Sequence, residues 1–195
     1  MGHLVAKDIY GSLGQKIDNL TLRTPQTETF HSMLRELYTP EEADLVVRMP
    51  FALSTLERIA QVTGRDPVEL EPRLAALCDK GLVVDLLLGD HYRYMPAPFV
   101  IGIFEFTMMR MSSDDPDIGK LSKLFLDYFH QGDVYAANYR DGQQVTVARA
   151  LPHLDDLGDH VEILDYERVE RIIDEADNFS LGVCSCRHAK HHAGE

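Results

Sequence analysis

Cysteine is scarce in this chain: three in 195 residues, two of them separated by a single residue. That excludes a disulfide framework. Neighbouring CxC thiols are also poorly placed to bridge each other, because bridged Cα atoms lie about 5.5 Å apart in constrained geometry, so a reducing, cytoplasmic setting is expected. A long apolar run is missing too. The richest stretch, Phe99 to Met109, is broken by Gly102, Glu105 and Thr107 and falls well short of the ~20 residues a membrane span needs. Met1 to Lys7 lack the apolar core of a secretory signal. No Walker loop, dinucleotide fingerprint, nucleophile elbow or HExxH motif occurs, and so no catalytic role is assigned to any residue of this chain.

What is present is ordinary globular composition, 45% hydrophobic and 26% charged, in a chain long enough to bury roughly 70% of its unfolded surface. The net charge of −13 is unevenly spread. Residues 1–38 balance, four acidic against four basic; residues 39–98 carry ten acidic and six basic; residues 112–180 carry sixteen acidic and six basic; the last fifteen residues are net +1. Such a surface favours solubility and repels phosphate backbones, which disfavours nucleic acid as a partner.

Residues 1–38 read as a helical extension, with a short helix over 8–22 and a second opened by Thr24-Pro25 as N-cap and first helical position and running to about Tyr38. Thr39-Pro40-Glu41-Glu42 is a capping box with proline at its first position, and Pro50 closes the helix behind it. Ser54-Thr55-Leu56-Glu57 reads as a second capping box, with Gly64 ending that helix. Asp66-Pro67-Val68-Glu69 opens a third, although Pro72 requires either a start near Leu70 or a kink. Val83–Leu88, Gly89-Asp90 and His91–Met95 form a β-hairpin ended by Pro96 and Pro98.

Three short helices followed by a hairpin is the winged-helix order. The run Arg73-Leu74-Ala75-Ala76-Leu77-Cys78-Asp79-Lys80-Gly81-Leu82-Val83 resembles the third helix and first wing strand of winged helix-turn-helix modules in bacterial regulators. The resemblance covers about residues 39–97, and the module is bounded at 39–98. A DNA-reading third helix needs basic and amide side chains in its N-terminal half. Here that half carries Asp66, Glu69 and Glu71 against Arg65 and Arg73, so packing or protein contact is the better expectation. A metal- or redox-responsive regulator remains the alternative.

Residues 99–132 read as a helical connector. Its apolar run 99–111 is either buried between two halves of the chain or a face for a homodimer or another partner. Ser112–Pro116 is a loop, and a helix follows from about Asp117 to Gln131. Residues 133–195 read as a small α/β unit: a strand at Val145 and Val147, an acidic loop over 152–160, a strand over 161–164, a helix over 166–176 with Val169, Ile172, Ile173 and Ala176 inward, and a strand over 179–183. The fold class expected is therefore α+β and predominantly helical.

The chain ends on its chemistry-bearing residues. Cys184 and Cys186 would face one way if the strand continued, and His188, His191 and His192 stand at i, i+3, i+4, a spacing that gathers imidazoles on one side of a helix. Two thiols and three imidazoles suit zinc or another borderline divalent metal. The alternative is a solvated tail with incidental histidines. Cys78, at an apolar helix position, reads as a buried structural thiol, and His31, His91, His130, His153 and His160 are scattered.

Read with its approach, Asp177-Asn178-Phe179-Ser180-Leu181-Gly182-Val183-Cys184-Ser185-Cys186-Arg187-His188 resembles the middle of a family of 4Fe–4S ferredoxin-type proteins of anaerobic bacteria and archaea. In that family a winged-helix-like half leads into C-x-C-R, and further cysteines follow. The resemblance implies that Cys184 and Cys186 are cluster ligands, with Arg187 near the cluster's negative charge. It also implies that the chain is the N-terminal portion of an electron-transfer or oxidoreductase component with a redox partner protein. Only two of the four thiolates a cluster normally takes are present at this motif.

Overall fold

The computed structural model describes residues 2–140, 143–144, 166–178 and 181–195. The chain is α+β and mostly helical. Two compact units are distinguished: residues 1–146 together with 183–195, and residues 147–182. Among the described residues no helix is long and apolar enough to cross a membrane.

In the first unit, α1 (Gly2–Asp18) begins earlier than the sequence pattern indicates. The second helix, α2 (Glu28–Leu37), starts later: its cap is Thr27, whose hydroxyl accepts from Phe30 N at 3.2 Å, and not Thr24. Thr24 is buried, with its N–H on Asp18 Oδ1 and its hydroxyl donating to the Leu22 carbonyl. These bonds hold it in the turn that follows α1, out of reach of a helix start. For α3 (Pro40–Arg48) the capping box forms in full, Thr39 N–H on Glu42 Oε2 at 2.8 Å and Glu42 N–H on Thr39 Oγ1 at 3.2 Å. Helix α4 (Leu56–Thr63) is capped by Thr55, one residue later than expected. Ser54 and Thr55 pair as a short strand, β1, and the Ser54 hydroxyl donates to Ala52 O. Helix α5 (Pro67–Asp79) starts at Pro67 and continues through Pro72. The bond that Pro72 cannot make would have gone to Val68. Val68 is 81% exposed, so water can serve its carbonyl.

The hairpin β2 (Val83–Leu88) and β3 (His91–Pro96) follows, with Gly89 in the left-handed region at the turn. With β1 it makes an antiparallel sheet of order β1-β3-β2. Between α5 and β2, Gly81 has φ 78°, and a Cβ there would stand 2.6 Å from the Phe106 Cβ and 2.8 Å from its backbone. This close approach sets α6 against the α5–β2 corner.

The irregular segment Phe99–Ile103 leads into α6 (Phe104–Arg110), and α7 (Ile118–His130) and α8 (Asp133–Ala137) complete the central helices. The run 99–111 is mostly spent inside the fold: Phe99, Gly102, Ile103, Phe104, Thr107 and Met108 are buried. Phe99 is the hub of an aromatic cluster, with Phe30, Tyr128 and Phe129 centroids at 5.6, 5.1 and 5.6 Å. The Phe30 and Tyr128 pairs are edge-to-face and add about 0.5–1.5 kcal/mol each beyond burial, while the Phe129 ring is tilted. The Tyr128 hydroxyl donates to Pro25 O at 2.9 Å and so fixes the α1–α2 connection to α7.

A two-residue ladder, β4 (Tyr139–Arg140) and β5 (Gln143–Gln144), follows α8. In the second unit, α9 (Tyr166–Asp174) forms where expected but buries no side chain; Val169, Ile172 and Ile173 are exposed, contrary to the expected inward stripe. The strands expected near Val145 and over 161–164 lie outside the described residues. Of the strand expected over 179–183, Phe179 and Ser180 lie outside them and Leu181 to Val183 are not strand. The last helix, α10 (Ser185–Ala193), packs on α6 and α7.

Gly81→Ala should lower stability by about 2 kcal/mol, because both a positive φ and a backbone-close neighbour oppose the new methyl. Urea denaturation checks this, and an unchanged midpoint would show that the corner has room.

Candidate functional site: the α10 segment

The local sequence of α10 explains why a helix replaces the expected strand extension. Ser185, His188 and Ala189 are buried, at the i, i+3, i+4 spacing of one helical face, while Cys186, Arg187 and Lys190 are exposed. An extended chain would bury alternate residues instead and could not seat this set. Cys184 occupies the N-cap with extended backbone, Gly194 ends the helix at φ 87°, and Glu195 N–H returns to Lys190 O at 2.9 Å.

His188 is the anchor. Its Nδ1 lies 2.7 Å from the Met108 carbonyl oxygen, and the residue is 7% exposed. A carbonyl only accepts, so Nδ1 carries a proton. Met108 lies in the last turn of α6, where the final carbonyls have no partner within the helix. His188 therefore satisfies a buried orphan acceptor. On its other side Nε2 is 3.4 Å from Ser113 Oγ, and His192 Nε2 is also 3.4 Å from that hydroxyl. Ser113 can donate to one imidazole while accepting from the other. The His188 and His192 rings stand 4.7 Å apart, and His191 and His192 4.9 Å. Loss of hydration comes first, and the neighbouring His188 and His191 follow, in holding the His192 pKa below the usual histidine value.

The structure thus brings the three histidines together and leaves both thiols at the other end of the same helix. Cys184 and Cys186 are exposed and free, whereas Cys78 is buried and its pKa is pushed up to about 12, chiefly by burial. Among the described residues no three His, Cys, Asp or Glu side chains form a group that could hold a metal ion. Chemically, α10 offers two accessible soft donors at its N-terminus and an imidazole pair whose buried member is already oriented by a backbone carbonyl, the usual outer-shell support of a ligating histidine. The roles of Met108 and Ser113 had no signal in the sequence, since they lie about 80 residues upstream in an apolar run and a loop.

Removing the anchor leaves the Met108 carbonyl buried without a donor. His188→Ala should cost about 2 kcal/mol in urea denaturation, whereas exposed His191→Ala should fall within about 0.5 kcal/mol of the parent. The pH dependence has a definite sign. A histidine whose folded pKa is depressed binds fewer protons folded than unfolded, so stability is complete above the unfolded value of about 6.5 and declines as pH falls through it. The urea midpoint should drop on going from about pH 7.5 to about pH 5.5, and less so in His192→Gln; equal drops in both proteins would assign the effect elsewhere.

No protein-family model, no curated protein and no solved structure matches the chain.

Proposed function

We propose that this chain is the N-terminal portion of an iron–sulfur electron-transfer or oxidoreductase component of the 4Fe–4S ferredoxin type. In this reading residues 39–98 are a winged-helix-like module used for packing and protein contact, and Cys184 and Cys186 contribute two of the thiolates. The observation that carries the proposal is the placement of the two thiols. Both are exposed at the N-terminus of α10, and the opposite side of that helix is locked into the core by His188 and Ala189. A cluster ligand has to be accessible and held in place, and this arrangement gives both. A helix N-terminus also favours the net negative charge of a thiolate-bound cluster, and Arg187 is exposed beside it.

The donor set fits half of a cluster. Four thiolates are the normal complement, so the remainder comes from further chain or from a partner. When bound, such a cluster supplies one-electron transfer; what the residues here contribute is two ligands and a rigid support. The order of α3, β1, α4, α5, β2 and β3, with β1 pairing at β3, supports the winged-helix reading. DNA recognition has less support, because the exposed N-terminal half of α5 presents Glu69 and Glu71. Zinc at the histidines also has less support, since among the described residues no three His, Cys, Asp or Glu side chains form a group that could hold it.

The full-length gene product, purified anaerobically, should contain iron and acid-labile sulfide and show charge-transfer absorption in the visible range. The Cys184→Ser/Cys186→Ser double variant should lose most of the iron at one cluster. A parent without iron and sulfide, or a double variant with undiminished iron, would overturn the assignment.

A further inference from the structure

Among the described residues the β2 strand is an edge whose single charged side chain is Asp85. Among the described residues it pairs only with β3, in an unbroken six-residue register from Val83↔Pro96 to Leu88↔His91. Natural edges are blunted by lysine, proline, bulges or covering segments. This one has no lysine, proline or bulge. Its outer half is Asp85-Leu86-Leu87-Leu88, and the leucines are 45%, 59% and 50% exposed, with Tyr92 across the hairpin at 52%.

The phase of the ladder shows which backbone groups are open. Ala97 N–H donates to Leu82 O, and Pro96, opposite Val83, has no N–H to give. Residues 84, 86 and 88 therefore turn their amide and carbonyl groups toward β3, and Asp85 and Leu87 turn theirs outward. These exposed groups need a strand.

We propose that β2 pairs with β2 of a second copy of this chain, antiparallel about a two-fold axis through Leu86. Charge selects the register. Centred on Asp85, the pairing would set two carboxylates directly opposite each other, which is unfavourable. Centred on Leu87, it would engage only residues 86–88 of the strand. Centred on Leu86, it sets Asp85 opposite the second copy's Leu87 and Val84 opposite its Leu88. Asp85 and Leu87 then exchange hydrogen bonds across the axis, and the two Leu86 side chains meet at the non-hydrogen-bonded position, where side chains approach most closely. The contact is isologous, so it closes as a dimer and does not propagate. Because each copy carries −13, the copies repel, and added salt strengthens the association. A basic partner protein on the same acidic edge would show the opposite salt dependence.

The test combines sedimentation with cross-linking. Wild-type protein should show a reversible monomer–dimer equilibrium that tightens with sodium chloride, and Leu86→Lys, which opposes two like charges, should weaken it by about tenfold or more. In a background with Cys184 and Cys186 replaced by serine, Leu86→Cys should form an intermolecular disulfide under mild oxidation. Leu88→Cys alone should not, whereas Leu88→Cys mixed with Val84→Cys should cross-link. A wild-type protein that stays monomeric at every concentration and salt, or Leu88→Cys cross-linking as readily as Leu86→Cys, would overturn the pairing.

Discussion

One buried hydrogen bond, from His188 Nδ1–H to the Met108 carbonyl, organises the end of this chain. It joins residues 80 apart, completes the last turn of α6, and fixes the rotation of α10 about its own axis. Without it, a nine-residue helix with Cys186, Arg187, Lys190 and His191 exposed would have little to hold it, since isolated helices shorter than about 12–15 residues are marginal in water. Ala189, on the same face of α10, is fully buried. The positions of Cys184 and Cys186 follow from that rotation.

The bond depends in turn on the placement of α6, which two other features determine. The aromatic hub at Phe99 ties the start of the segment to α2 and α7. Gly81 lets the α5–β2 corner approach Phe106 and Thr107 at backbone distance, and the Thr107 hydroxyl donates to Lys80 O at 3.1 Å. The three-helix and hairpin portion and the thiol-bearing helix are thus both held by one short helix. In a redox component this arrangement would give the ligands a support that does not require the metal for folding.

Much of the first half was legible from local chemistry. Thr39, Pro40 and Glu42 form a signal complete within four residues, and the structure reproduces it. The hairpin follows from Gly89-Asp90 between apolar runs. Where capping signals compete, the sequence reads less well: Thr24 and Ser54 are good N-cap residues, yet local bonds to Asp18 and Leu22 hold Thr24 in a turn and pairing with β3 places Ser54 in a strand, and Thr27 and Thr55 cap instead. The tail shows the same limit more sharply. The histidine spacing fits one side of a helix, while the condition that a strand continue through Cys186 is not met: Cys184 is extended, but the helix begins at Ser185, and the burial of His188 and Ala189 that favours it is a long-range effect. Neither Met108 nor Ser113 belongs to any motif, and their partnership with His188 exists only once α6 and α7 have packed.

The central claim is that α10 is formed and docked by the protein alone, before any metal binds. Amide hydrogen exchange of the metal-free protein, resolved by residue, tests it most directly. The His188 and Ala189 amides should be protected to a degree comparable with Phe125 in α7, because Ala189 and Phe125 share one core and His188 is buried next to Ala189. Exchange of those two amides at the rate of an unstructured peptide would contradict it.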